Sequence, residues 1–180
     1  KRVGGQYFGQ GRNGSICRAS FHLASHMDGE KHFWAAGRTI GEMPFEYWFG
    51  PGAVADISDM VSNSSVYTPE MIESVVAIEE DDILIVKTGW HKYGWNSADS
   101  DEFRYMIKHP GPSPDFADWC IKKKIKWLGV DCVAMEHPMN TIQRIWHPKT
   151  FEEANEKLKA EFGKDWDEMY PLDKYYQDMH

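Results

Sequence analysis

The chain has 180 residues, a formal net charge of −8, 42% hydrophobic and 14% aromatic residues, and no basic run longer than Lys122-Lys123-Lys124. That length suits one domain with a real core, and the acidic balance excludes a phosphate-binding, nucleic-acid-type surface. Cys17, Cys120 and Cys132 are odd in number and lack C-x-x-C spacing, which argues against a disulfide framework or zinc knuckle. No apolar run approaches the roughly 20 residues of a membrane span. A cytoplasmic protein with buried, reduced thiols is expected, acting on a small molecule rather than on nucleic acid or a membrane.

In chain order, residues 1–14 contain five glycines and little apolar periodicity, and read as loop. Ser15 to Phe21 then reads as a strand. It leads into Ser20-Phe21-His22-Leu23-Ala24-Ser25-His26-Met27-Asp28-Gly29-Glu30-Lys31-His32-Phe33, which packs three histidines and one aspartate into eleven positions. A helix would put Asp28 about 240° away from His22, and a straight strand would set His22 roughly 13 Å from His26. The spacing therefore predicts a strand that ends near His22 and curls at the small Ala24 and Ser25, with Gly29 beyond.

Trp34 to Pro51 mixes Gly, Pro and aromatics and reads as a covering loop with one short helical turn. Its Phe45, Tyr47, Trp48 and Phe49 either wall a pocket or serve as ordinary core. Ala53 to Ser58 is a short strand, and Thr68-Pro69-Glu70 announces a helix to about Ala77. Asp82 to Thr88 is a continuous apolar run of the kind buried on both faces, ending in Gly89-Trp90 at the expected site. Ser113-Pro114-Asp115 repeats the cap signal before the stripe Phe116, Trp119, Cys120. Trp127 to Met135 is the next buried strand, and Thr150-x-x-Glu153 reads as a capping box opening a charged helix to about Phe162. Alternating buried strands and capped helices predict an α/β domain over residues 1–180.

The chemistry concentrates in the cluster. Neutral imidazole and carboxylate form a mixed donor set that suits zinc or manganese ahead of iron, and two histidines plus one acid leave positions open for water and substrate. A divalent cation held by His22, His26 and Asp28 lowers the pKa of a water toward 7 and polarises a carbonyl. His32 is the candidate to take a proton from that water and return it to the leaving nitrogen. Thr88, Trp90 and Trp48 are candidate pocket residues; His91 could assist there, but a surface residue is the preferred reading.

These residues resemble the cyclase family of metal-dependent hydrolases, which includes bacterial kynurenine formamidases and isatin hydrolases, with the signature H-x-G-T-H-x-D-x-P-x-H-F. His22, His26, Asp28, His32 and Phe33 fall on it in register, with Ala24-Ser25 for Gly-Thr and Glu30 for Pro. The likeness continues through Ala53-Val54-Ala55-Asp56-Ile57-Ser58, Asp82 to Trp90, and His109-Pro110-Gly111 with Gly129-Val130-Asp131. It implies a swivelling β/β/α-type domain, with a mixed sheet or barrel-like core and flanking helices. It also implies hydrolysis of an amide, cyclic amide or lactone carbonyl, a C–N bond other than a peptide bond in the first two, with His32 as proton carrier. Family members carry an upstream Asp-Leu-Ser strand and a C-terminal His with a Glu-Asn segment. The chain is expected to lack that strand and segment, and His180 is the remaining candidate for the final metal ligand. A homo-oligomer, dimer or tetramer, is expected, with a second chain or neighbouring subunit furnishing the rest of the site. Two other readings stay open: a non-haem iron oxygenase using His26-x-Asp28 with His109, His137 or His147, and a non-catalytic metal-binding homologue.

Overall fold

A computed structural model describes residues 2–7, 10–15, 22 and 24–171. The chain divides into two compact units, residues 1–42 and 43–180. The first unit begins with β1 (Arg2–Tyr7) and β2 (Gln10–Ser15), an antiparallel pair in which Arg2 stands opposite Ser15 and Tyr7 opposite Gln10. The glycine-rich segment expected to be loop is thus a hairpin. Glycine weakens a strand through backbone entropy, but the ladder is made of backbone N–H and C=O groups and does not need side chains. Of the strand expected at Ser15 to Phe21, only Ser15 lies within the described residues. The unit closes with α1 (Glu30–Phe33) and a 3-10 turn at Ile40–Glu42.

The second unit holds a parallel three-stranded sheet. β3 (Gly52–Asp56) runs through the crossover of β4 (Val66–Tyr67) and α2 (Pro69–Val75) to β5 (Ile83–Lys87). From there α3 (Glu102–Ile107), β6 (Gly111–Pro112) and α4 (Phe116–Lys123) lead to β7 (Trp127–Val130). The order is β3-β5-β7, all parallel, with β4 and β6 forming a separate parallel pair. Among the described residues the sheet is open, so the barrel-like alternative is not what forms. Helices α5 (Gln143–Trp146), α6 (Pro148–Phe162) and α7 (Trp166–Met169) complete the chain. No helix among the described residues is long and apolar enough to cross a membrane.

The cap signals at Thr68 and Pro69 start a helix where expected. Trp34 to Pro51 carries two 3-10 turns, the second at Phe45–Trp48, instead of one. The Thr150 capping box does not form: α6 begins at Pro148, because a proline at the first helical position needs no N–H partner, and Thr150 is buried in its first turn. The capping box that does form is Asp165 with Glu168, opening α7. The strand predicted to reach Met135 stops at Val130.

One core packs Ala55, Ile57, Tyr67, Ile72, Leu84, Val86 and Phe116 beneath the sheet. A second joins Val66, Ile107, Met139, Ala154, Leu158, Trp166 and Tyr170. β5 was expected to be buried on both faces, yet Leu84 and Val86 are fully buried while Ile85 is 38% exposed beside Val54 at 58%. An apolar run alone does not distinguish a strand covered on one face from one covered on both.

Candidate metal cluster and a second histidine-aspartate pair

The first unit gathers the signature histidines by a curl and a tied loop. Ala24 sits in the left-handed region at φ 61°, which L-residues other than glycine adopt at a cost. The curl turns the Ala24 carbonyl onto His26, whose Nδ1 donates to it at 2.8 Å. A carbonyl only accepts, so His26 carries its hydrogen on Nδ1 and presents a lone pair at Nε2. That Nε2 lies 2.9 Å from His22 Nδ1 and 3.8 Å from Asp28 Oδ1.

Beyond Asp28, Glu30 opens the turn that carries His32, whose N–H donates to the Gly29 carbonyl at 3.0 Å. The Glu30 carboxylate accepts from the Arg38 N–H at 3.0 Å and pairs with its guanidinium through Nε and Nη2. Arg38 thereby holds the Glu30 carboxyl at about 2. The charge that stands where the signature has proline is neutralised within the loop. Gly37 crosses so close to Glu30 that a Cβ there would meet its carbonyl carbon at 2.8 Å. Glu42 closes the segment by accepting from Thr39 N and Oγ1, both at 2.7 Å.

The result is one cluster. Ligand atoms of His22, Asp28 and His32 all lie within 4.8 Å of one another, the His22 and His32 rings are 5.0 Å apart, and His26 bonds into the group through Nε2. The donor chemistry fits a divalent cation. Tetrahedral bonds of about 2.05 Å place neighbouring ligand atoms about 3.3 Å apart, a value bracketed by the 2.9 and 3.8 Å around His26. Holding the remote imidazole nitrogen on a backbone carbonyl is how metal-ligating histidines are oriented. The sequence divided the four into three ligands and one proton carrier; the geometry brings all four together and groups His32 with His22 and Asp28. His180 lies outside the described residues.

The candidate pocket residues are in the second unit. Trp90 is 2% exposed and donates from Nε1 to the Arg104 carbonyl at 3.1 Å. Trp48 is half-buried, its ring 4.8 Å from that of Trp127. Thr88 is 3% exposed and spends its hydroxyl on Asp131. Of the distal histidines, His109 and His137 are buried at 1% and 0% exposure and His147 precedes α6, its ring 5.3 Å from that of Phe103. His109 Nδ1 donates to the Pro110 carbonyl at 2.9 Å, and His137 Nδ1 accepts from Met139 N at 3.1 Å.

Sequence reading missed one arrangement. Asp131 follows the end of β7 and accepts from Thr88 N at 2.8 Å, Thr88 Oγ1 at 2.5 Å, Gly89 N at 2.8 Å and His91 Nδ1 at 2.8 Å. Burial alone would raise its pKa, but the bonds from His91, Thr88 and Gly89 overcome this and hold the carboxyl below its usual range. Gly89, at φ 75°, makes the turn, and a Cβ there would meet the Ser58 Cβ at 2.9 Å. The available signal was an aspartate and a Thr-Gly turn, each ending a buried run.

Fold and cluster together define an α/β protein with a histidine-aspartate group of metal-ligand composition. The profile of the family described as "Putative cyclase" matches residues 7–137, and the chain belongs to this cyclase family. Its fold is similar to that of a protein described as a potential metal-dependent hydrolase with cyclase activity, 22% identical, with a TM-score of 0.54 over 86% of this chain and 65% of that one. Isatin hydrolase A from Labrenzia aggregata, bound to benzyl benzoate, is 27% identical over 55% of this chain and 41% of its own, with a TM-score of 0.46. The chain thus spans less than two thirds of the length of either. No curated protein matches it in sequence.

Proposed function

We propose that this chain is a metal-dependent hydrolase that attacks an amide, cyclic amide or lactone carbonyl of a small molecule, with His22, His26 and Asp28 holding a divalent zinc or manganese and His32 moving the proton. The observation that carries this is the His26 geometry: Nδ1 fixed on the Ala24 carbonyl at 2.8 Å and Nε2 turned toward His22 and Asp28. Family membership supports both the hydrolytic reading and the swivelling β/β/α arrangement. A cation there supplies a Lewis acid and brings a water's pKa toward 7. Asp28 contributes the negative charge that offsets the cation. His32, whose ring lies 5.0 Å from that of His22, takes the proton from the attacking water and passes it toward the leaving nitrogen.

The grouping of His32 with His22 and Asp28 favours a second reading, in which His32 is itself a ligand. One set of variants separates them. His26→Ala is expected to lose most of its metal, because an open site depends on each ligand. His32→Ala is expected to keep its metal while kcat on isatin or formanilide falls about 10²- to 10⁴-fold. Joint loss of metal and rate, partly restored by excess metal, establishes His32 as a ligand. Wild-type protein loaded with zinc or manganese that turns over no amide, lactam or lactone refutes the hydrolase assignment.

A further inference from the structure

His32 stands on a support that cannot hold itself. α1 (Glu30–Phe33) is four residues long and none of the four is buried, so it has neither the length of a stable isolated helix nor an apolar face to pack. Two backbone bonds shape it: the His32 N–H donates to the Gly29 carbonyl at 3.0 Å and the Trp34 N–H to the Glu30 carbonyl at 2.9 Å. Both lie within the turn itself.

The chain at 37–38 reaches back to that turn. The Gly37 N–H donates to the Trp34 carbonyl at 2.8 Å, and Gly37 passes so near that a Cβ there would stand 2.8 Å from the Glu30 carbonyl carbon and 2.9 Å from its Cβ. Arg38 then grips the Glu30 carboxylate with its amide at 3.0 Å, with Nε at 3.1 and 3.2 Å from the two oxygens, and with Nη2. Exposed ion pairs ordinarily contribute little, and these side chains are partly exposed, 49% for Arg38 and 32% for Glu30. This pair differs in kind. The guanidinium engages both oxygens, a geometry lysine cannot copy, and the Arg38 amide binds the same carboxylate, so the contact fixes main chain as well as two side chains.

We propose that Arg38 is a positioning residue: through its clamp on Glu30 it holds α1, and with it the His32 imidazole, against His22 and Asp28, whose ligand atoms lie within 4.8 Å of that of His32. The effect on rate rests on the hydrolase reading; the placement of the ring does not. The clamp supplies a rigidity that the backbone could supply by itself. Gly29 is extended, at φ −88° and ψ 173°, the conformation of a residue that precedes proline, and Glu30 occupies the first helical position, where proline's missing N–H costs nothing. A proline at position 30 would therefore fix the start of α1 without Arg38.

The test uses the zinc-loaded full chain as wild type, Arg38→Gln, His32→Ala, the double variant of those two, and Glu30→Pro with Arg38→Gln. Two readouts are taken: kcat on formanilide, and the His32 ring signal in a carbon–proton NMR spectrum, identified by its loss in His32→Ala. In Arg38→Gln the His32 signal is expected to move toward that of a histidine in a free peptide. There kcat should fall about 10²-fold, the cost of displacing a reacting group by about 1 Å, with metal content retained. Adding Glu30→Pro should restore both signal and rate. In the His32→Ala background, Arg38→Gln should lower kcat by less than about twofold further, because it acts through a side chain already removed. A His32 signal unmoved by Arg38→Gln, or a loss of rate as large without His32 as with it, overturns the positioning role and leaves the hydrolase reading standing. A wild type inactive on formanilide counts against the hydrolase reading, and the His32 signal then decides the positioning role alone. If Arg38→Gln does not fold, Arg38→Lys, which keeps the charge and the amide but not the fork, decides by the same signal.

Discussion

Asp131→Ala is the substitution whose cost the structure states most directly. The carboxylate accepts from the Thr88 and Gly89 amides, at 2.8 Å each, and both residues are buried. The Thr88 hydroxyl keeps Cys132 Sγ at 3.3 Å as an alternative, and the bond to His91 is largely exposed, where charge pairs contribute little. That leaves two stranded backbone donors at about 1–3 kcal/mol each, a destabilisation of about 4 kcal/mol. An asparagine in place of Asp131 retains one acceptor oxygen. Since Oδ1 serves Thr88 and Oδ2 serves Gly89 and His91, Asp131→Asn should cost about half as much. Urea unfolding followed by circular dichroism measures the loss, and amide exchange at Thr88 and Gly89 localises it. If Asp131→Ala unfolds within about 0.5 kcal/mol of wild type and both amides exchange as slowly as before, the lock is not what holds this turn.

Burial holds His109 neutral in the folded chain, bringing it from 6.5 to about 4 against the opposing bond to Pro110, and pushes fully buried His137 well down in the same direction, with His109, Lys157 and Arg144 adding to the push. Below pH 6.5 the unfolded chain then binds more protons, so stability is complete above that value and is lost as pH falls toward 4, by about 3 kcal/mol for His109. Half-buried Glu136, whose carboxyl is raised by desolvation, offsets part of this; flat stability between pH 7 and 4.5, with no gain in acid tolerance in His109→Gln, would contradict the assignment. Ala24→Gly should relieve the left-handed strain of about 1–2 kcal/mol against a glycine entropy cost of about 0.5–1, a net of about 0.75 kcal/mol at mid-range, so zinc affinity measured by competition with a chelator should rise about three- to fourfold; an affinity that does not rise would show that strain at the curl does not limit metal binding.

The sequence by itself determined the α/β class, the start of α2 and the core stripe of α4, and it singled out the four residues that the structure draws into one histidine-aspartate cluster. The reason is physical: caps, apolar periodicity and ligand spacing are local, and local patterns are written in consecutive residues. It also marked Ala24-Ser25 as the curl, because small residues at that point are what the spacing of His22, His26 and Asp28 requires. Tertiary structure alone decided that β5 keeps one face open, since an apolar run reads the same with or without a covering layer. It decided that Glu30 is neutralised by Arg38 eight residues on, that Thr88 and Trp90 are buried, and that α6 begins at Pro148. Above all it joined His91 to Asp131 across forty residues of chain. A contact made by two neighbouring parallel strands leaves no periodic trace in either one, and only their register brings the two side chains together.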